Sequence, residues 1–178
     1  MAAFPDIGFT SMTMRLRSST AISTSPFTFD QQVYEHQGVR WEAEVTLPPL
    51  TRSEAKEVEG FFASLRGQSE TFTMGNPLHN ETSLSGTITG SAGSTSVTGT
   101  VSGGVAVGDY FSINNTLHIF TQVSGGLKIM PPLRSTVTNA TCTFALPKGT
   151  WRLASNEIDW NINRAGLYGF TFACVEAI

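Results

Sequence analysis

Polar and apolar residues alternate along the first 47 positions of the chain. In 11–18 and 26–34 (SMTMRLRS and PFTFDQQVY) an apolar or aromatic side chain occupies about every second position, the period of a half-buried strand. His36-Gln37-Gly38 is typical of a turn. RWEAEVTLP then alternates again and places four apolar side chains on one face: Trp41, Ala43, Val45 and Leu47. The pattern predicts strands joined by a hairpin turn at 36–38 and ending at Pro48-Pro49.

The period changes to that of a helix directly after the proline pair. Thr51 and Glu54 match the S/T-x-x-E capping box, in which the two side chains satisfy free amides at a helix start. Gly67 stands where a left-handed residue commonly ends a helix. The sequence therefore predicts a helix over 51–66. Its buried stripe is expected to contain Ala55 and the helix core residues Val58, Phe61, Phe62 and Leu65.

Strand alternation returns in QSETFTMG and stops at the turn-forming cluster Gly75-Asn76-Pro77. The segment 82–108 consists almost wholly of small residues, with sparse Ile and Val. Such a composition is compatible with a flexible linker or with thin, exposed strands. The alternating Thr and Val favour the strands.

Residues 109–148 predict several short strands. DYFSI and TLHIFTQV flank an Asn-Asn turn, LKIM follows a Ser-Gly-Gly turn, and STVTNATCTFALP adds a fourth strand. With the strands before them, they are expected to close a small barrel-like module over 80–148. Its expected core is aromatic and aliphatic: Tyr110, Phe111, Ile113, Ile119, Phe120, Ile129 and Phe144.

The C-terminal segment 149–178 is aromatic-rich, like residues 26–47. WRLA, EIDWNIN and YGFTFACVEA read as strands, the last two joined at Arg164-Ala165-Gly166. We expect these strands to complete a sheet begun by residues 1–79, so that the module 80–148 is an insertion. The sequence thus predicts a mainly β protein with one packed helix and an inserted small β-barrel-like module.

Charge limits the functions that this chain can have. Only 14% of the 178 residues are Asp, Glu, Lys or Arg, and the formal net charge is −3. Nucleic-acid binding requires clustered cations, yet no Lys or Arg lies between Arg66 and Lys128, so we expect no DNA or RNA partner. A charge-poor surface permits assembly with other proteins without requiring it.

Two cysteines, Cys142 and Cys174, are too few for a disulfide framework or a four-ligand metal site. One bridge between strands is possible, although two buried, inert thiols fit better. The N-terminal residues lack the apolar run of a signal peptide, and no stretch is long enough to span a membrane as a helix. We therefore expect a protein made in a cytoplasm and kept reduced there.

The sequence offers no constellation of catalytic or metal-binding residues, and we expect no enzyme activity and no cofactor. His36, His79 and His118 have no metal-ligand spacing. Glu157 and Asp159 stand two apart in a predicted strand and could act as an acid–base pair. The exposed face of an edge strand explains this pair more simply.

The arrangement as a whole resembles the distal tail and minor tail proteins of long-tailed bacteriophages and related prophages. The resemblance rests on a tryptophan-containing strand (RWEAEVTLPP), a helix that carries F-x-x-L-R-G, and the next strand ending near Gly-Asn-Pro. It extends to GDYFSINNTLHIFTQV and LKIMPPLRS in the insert and to the closing WRLASNEIDWNINRAGLYGFTFACVEA. These motifs describe packing rather than chemistry.

The resemblance implies a β-sandwich with one packed helix. It also implies a virion protein whose copies form a ring, usually of six, where the tail tube meets the tail tip or baseplate, with the tube and the tail hub as partners. A tail tube subunit shares this plan and is an alternative.

A glycan-binding adhesin is a further alternative. It would use aromatic residues of the insert as its ligand surface: Tyr110, Phe111, His118 and Phe120. An enzyme built on Glu157 and Asp159 is the least supported hypothesis.

Overall fold

The computed structural model describes residues 1–75 and 79–178, which form one helix and thirteen strands. In chain order the elements are β1 (Ala2–Ala3), β2 (Ser11–Thr24), β3 (Gln31–Thr46), α1 (Arg52–Leu65), β4 (Phe72–Gly75), β5 (Ser85–Gly90), β6 (Ser96–Ser102), β7 (Tyr110–Ile113), β8 (Thr116–Gln122), β9 (Leu127–Met130), β10 (Val137–Thr141), β11 (Lys148–Leu153), β12 (Trp160–Ile162) and β13 (Tyr168–Glu176).

The first and last parts of the chain build one sheet, the main sheet, with the strand order β1-β4-β11-β13-β3-β2. Its pairs are antiparallel except for β1 with β4, which run parallel, and β12 extends it by pairing with the start of β13. The C-terminal strand β13 lies between β11 and β3. The main sheet therefore forms only when both ends of the chain have come together.

The middle of the chain forms a second, antiparallel sheet with the order β10-β5-β6-β9-β8-β7. Ser112 in β7 and Thr143, just after β10, exchange two backbone hydrogen bonds of 2.9 Å, which nearly close this sheet into a barrel. The expectation of a mainly β protein, a β-sandwich with one helix plus a small barrel-like module, is confirmed.

The two sheets have separate hydrophobic clusters. The first contains the buried face of α1 and the inner faces of β3, β4, β11 and β13. The second lies inside the barrel-like sheet and includes Ile88, Phe111, Phe120, Ile129 and Phe144. Tyr110 and Ile119, expected in the core of the insert, pack against the first cluster instead, because neighbouring residues of a strand point to opposite faces.

The helix α1 begins and ends close to the predicted residues. The Glu54 carboxylate accepts hydrogen bonds from the Thr51 backbone N–H (2.9 Å) and hydroxyl (2.8 Å), and these bonds lower the pKa of Glu54. Val58, Phe62 and Leu65 are buried, and Phe61 is partly buried. The left-handed conformation begins at Arg66 (φ 51°), one residue before the predicted Gly67, which is also left-handed.

The predicted hairpin turn at 36–38 is wrong. β3 is continuous through these residues, and the chain reverses at 25–30, part of the stretch predicted as a strand. Ser18 pairs with Val39 and Thr20 with Glu35, so that the single residue Ser19 opposes 36–38. A β-bulge accommodates Gly38 without ending the strand, which periodicity alone does not distinguish from a turn.

Most of the strands predicted for the insert are present in the structure. The small-residue segment 82–108 contains β5 and β6 rather than a linker. The Asn-Asn turn joins β7 to β8, and both asparagines have positive φ, as a tight hairpin turn requires. In the strand predicted from QSETFTMG, only the second half is extended, as β4; Asn76 and Pro77 of the predicted turn lie outside the described residues.

The insert is fixed to the main sheet by buried polar contacts. The Trp41 indole N–H donates to the Leu117 carbonyl oxygen at 2.9 Å. The Arg134 guanidinium bonds both carboxylate oxygens of Glu176 (3.0 and 2.7 Å) and the Val39 carbonyl oxygen (2.6 Å). Glu176 also accepts the Trp41 backbone N–H at 3.0 Å. Because a bidentate pair fixes orientation as well as distance, the insert is held in one position.

Replacing Phe62 with alanine tests the packing of α1. The side chain is buried between the aromatic rings of Phe61, Phe170 and Phe172. We expect Phe62→Ala to lower the free energy of unfolding by about 3–5 kcal/mol, measured by urea denaturation. The control is Lys56→Ala on the exposed face of the same helix, expected to change it by less than about 0.5 kcal/mol. Equal effects of the two variants would contradict the packing of α1 described above.

Replacing Arg134 with methionine tests the contact between the insert and the main sheet. The variant keeps most of the apolar stem but leaves the Glu176 carboxylate, whose side chain is 5% exposed, without its cation. We expect a loss of about 3 kcal/mol in unfolding free energy. Arg15→Met removes an exposed ion pair with Glu44 and should cost less than about 1 kcal/mol. If Arg134→Met lowered the free energy of unfolding by as little as Arg15→Met, the ion pair between Arg134 and Glu176 would not stabilise the fold.

Candidate assembly surface

The β2–β3 hairpin extends well beyond the body of the protein. We call residues 19–38, the part beyond the Ser18–Val39 pair, the hairpin arm. Five residue pairs and a six-residue loop give it a length on the order of 20 Å. Its described side chains are exposed except for Ser25, which is partly buried. The arm therefore contributes almost nothing to either hydrophobic cluster.

Local hydrogen bonds form the loop at the tip of the arm. The Ser25 hydroxyl accepts from the backbone N–H groups of Phe27 (3.4 Å) and Thr28 (3.3 Å), and the Ser25 carbonyl oxygen accepts from Phe29 N–H at 3.0 Å. A serine that bonds to the following amides is a common turn former. Within this loop Phe29 has a φ of 59°, which is uncommon for a bulky residue.

The arm carries apolar side chains on both faces and at the tip. Ile22 pairs with Val33 across one face, and Ala21 pairs with Tyr34 across the other. Phe27 and Phe29 at the tip are 92% and 78% exposed. Scattered apolar residues are normal on a protein surface, but a concentration of this kind on one projecting element marks an interaction site. The arm therefore presents apolar side chains to solvent on more than one side.

The outer edge of β2 adds backbone groups to this surface. β2 ends the main sheet, and among the described residues no strand pairs with its outer edge. Its 14 residues include no proline or lysine, the residues that commonly block pairing at an edge. Its two arginines, Arg15 and Arg17, face Glu44 and Glu42 on the neighbouring strand. The edge can therefore accept a strand from another chain.

The arm has little charge, and it contains acidic residues but no lysine or arginine. From 18 to 39 the chain has Asp30 and Glu35 but no Lys or Arg. The base of the hairpin differs, because Arg40, and to a lesser extent Arg17, bonds to Glu42 and lowers the pKa of that carboxyl group. The apolar, weakly acidic part of the hairpin is thus its distal end.

The aromatic residues considered for a ligand surface lie mostly inside the protein. Phe111, Phe120 and His118 are buried, and the Phe111 and Phe120 rings stack at 4.4 Å. Tyr110 is partly buried next to His79 (4.4 Å between ring centroids), and its burial raises the pKa of the phenol. None of these side chains forms an exposed platform for a sugar ring.

Other candidate chemical groups do not come together. Glu157 and Asp159 are exposed and precede β12 rather than lying within a strand, which corrects that part of the prediction. His118 Nδ1 lies 2.9 Å from the Pro131 carbonyl oxygen, and burial lowers the pKa of this imidazole to about 4. Within 1–75 and 79–178, no three His, Cys, Asp or Glu side chains are grouped as a metal site would require.

Both cysteines are free and buried. Burial raises the pKa of the Cys142 and Cys174 thiols to about 12, so they are almost entirely protonated at neutral pH and unreactive. In the part of the chain that the structure describes, α1 is too short to cross a bilayer.

No protein-family model matches this sequence, and a search of curated proteins finds no significant relative.

Sequence reasoning missed the arm as a candidate site. Two features of the sequence indicate the arm. Strand-forming residues continue past Ser18 as STAIST, and two phenylalanines flank Thr28 in the loop. The alternation in PFTFDQQVY predicts a half-buried strand. Alternation alone does not reveal that both faces are exposed, because exposure depends on what the rest of the chain covers.

A double substitution at the tip tests whether the arm is dispensable for folding. Phe27→Ser together with Phe29→Gly removes two exposed rings and frees residue 29 from its unfavourable φ. We expect the free energy of unfolding to change by less than about 1 kcal/mol in urea denaturation. A loss comparable with that of Phe62→Ala would show that the tip contacts the core and would contradict its assignment as an interaction surface.

Proposed function

We propose that this chain is a structural virion protein that forms a ring at the distal end of a bacteriophage tail and joins the tail tube to the tail tip or baseplate. The observation that carries the proposal is the hairpin arm. It has two exposed phenylalanines at its tip and one apolar pair on each face, and it includes part of the 14-residue strand that ends the main sheet.

An exposed apolar arm and a free sheet edge promote association unless a partner covers them. With a net charge of −3, electrostatic repulsion between copies is weak. A ring subunit has neighbours that cover such surfaces permanently, whereas a freely diffusing enzyme does not. The resemblance of the strand, helix and closing motifs to distal tail proteins supports the same class and implies six copies.

The rigid attachment of the insert is consistent with a structural role. Arg134, Glu176 and Trp41 hold the barrel-like sheet against the main sheet. A ring component must keep its parts in register with neighbours above and below it. The adhesin alternative receives no support, because the aromatic side chains that it requires are buried or partly buried.

The test is the state of assembly of the purified full chain. Light scattering during size-exclusion chromatography and negative-stain electron microscopy should show discrete rings at increasing protein concentration. The Phe27→Ser, Phe29→Gly variant should need at least about tenfold more protein to form them, because it lacks the apolar tip. The matched control removes an exposed aromatic ring elsewhere, Trp160→Ser, and should form rings like the original chain.

Localisation in phage particles separates the two tail hypotheses. Immunogold labelling should mark a single site near the tail tip for a distal tail protein, but the whole tail length for a tube subunit. If the chain stays monomeric at high concentration and mass spectrometry does not find it in purified virions, the proposal is wrong.

A further inference from the structure

A groove lies at the end of the main sheet opposite the arm. We call it the N-terminal groove; it has a volume of about 460 Å³, and its lining includes Phe4, Asp6, Ile7, Phe9, Leu146 and Lys148. The aromatic floor is fixed, because the Phe4 ring packs on Phe61 (5.3 Å) and Phe172 (5.5 Å) of the first cluster. The groove is thus a preformed apolar surface that remains open to solvent.

Backbone strain marks both the arm tip and this groove. Six non-glycine residues in the described chain have a left-handed φ: Phe29, Arg66, Asn114, Asn115, Asn139 and Leu146. Asparagine adopts this conformation readily, and Arg66 ends the helix. Phe29 at the tip and Leu146 in the groove (φ 49°, 45% exposed) have neither explanation. Strained positions concentrate where a protein binds something, and these two present apolar side chains.

The charges of the two surfaces are complementary. Asp30 stands beside Phe29, and among the described residues no cation lies within 4 Å of its carboxylate. The Lys148 ammonium in the groove likewise has no carboxylate within that distance in 1–75 and 79–178. Asp6 lines the same groove, so that one orientation is favoured, with Asp30 toward Lys148. Unpaired opposite charges of this kind orient two docking surfaces.

The positions of the two surfaces determine the kind of assembly that their contact would form. The arm extends from β2 and β3 at one end of the main sheet, and the groove lies beside β1 and β4 at the other. Contact between two different surfaces is heterologous, so a pair of joined copies still has one arm and one groove free for further copies. A series of such contacts forms a ring when the rotation from each copy to the next brings the last copy into contact with the first.

We propose that the arm tip of one copy binds in the N-terminal groove of the next copy, with Phe27 and Phe29 against the apolar lining and Asp30 beside Lys148. This inference rests on the proposed ring and identifies the two surfaces that join its subunits.

Engineered cysteines test this contact in the full chain. Thr28 is exposed at the tip, and Gly8 lines the groove, where an added Cβ has no heavy atom within 4 Å. Under mild oxidation, a mixture of Thr28→Cys and Gly8→Cys proteins should form disulfide-linked dimers, and neither variant alone should do so. The double variant should give a ladder of products up to the number of subunits in the ring. The buried native cysteines should not react.

Charge reversal gives a second, independent measurement. Asp30→Lys and Lys148→Asp should each raise the protein concentration needed for ring formation about tenfold or more, and the combined variant should recover most of the loss. Lys128→Asp reverses an exposed charge on β9 of the insert and serves as the matched control, with no expected effect.

The outcomes separate this contact from the proposed function. Rings that form without any disulfide between positions 28 and 8 would overturn the contact and leave the ring intact. Disulfides between two Thr28→Cys chains would overturn it as well, because they indicate that the arms pair with each other. Disulfides in the mixed sample together with recovery in the combined charge variant would establish the contact. If there are no rings and the chain is absent from virions, the proposed function fails, and this contact with it.

Discussion

The carboxylate of Glu176 connects three segments that are far apart in the sequence. It accepts the backbone N–H of Trp41 from β3, pairs with Arg134 from the insert, and belongs to the last strand of the chain. A buried carboxylate is costly unless its charge is paired and its oxygens are bonded, and here both conditions hold. The contact requires β13 to be in place between β3 and β11. Once formed, it fixes the insert, the main sheet and the base of the hairpin relative to one another.

This rigid base matters for the arm, whose described side chains contribute almost nothing to the hydrophobic clusters. Beyond the Ser18–Val39 pair the hairpin depends on its backbone ladder and on a few cross-strand pairs, and an isolated two-stranded hairpin is only marginally stable in water. The Arg134 side chain bonds to the Val39 carbonyl oxygen at the point where the arm begins. The lock between the insert and the main sheet therefore also holds the root of the arm.

Local sequence patterns predicted most of the fold, because capping residues, Asn-Asn turns and alternation act over a few positions. Thr51 with Glu54 and the pair Asn114-Asn115 are of this kind. Patterns failed where the outcome depended on distant contacts. The cluster at 36–38 became a bulge because β2 continued to pair on both sides of it, and Tyr110 turned to the main sheet because the insert docks there. The arm and the N-terminal groove were missed for the same reason, since exposure belongs to the whole fold.

The features that suit this chain to assembly also expose it to aggregation. β2 ends the main sheet and contains no proline or lysine, the distal hairpin exposes apolar side chains on both faces, and the net charge is small. Backbone pairing at an edge is not selective, because any extended chain can provide the hydrogen bonds. Selectivity must come from side chains, and at the tip of the arm those are the exposed rings of Phe27 and Phe29 and the carboxylate of Asp30. A tip that fits one groove in one orientation favours head-to-tail contacts over random edge pairing, so the strain at Phe29 is consistent with selection for specificity rather than for stability.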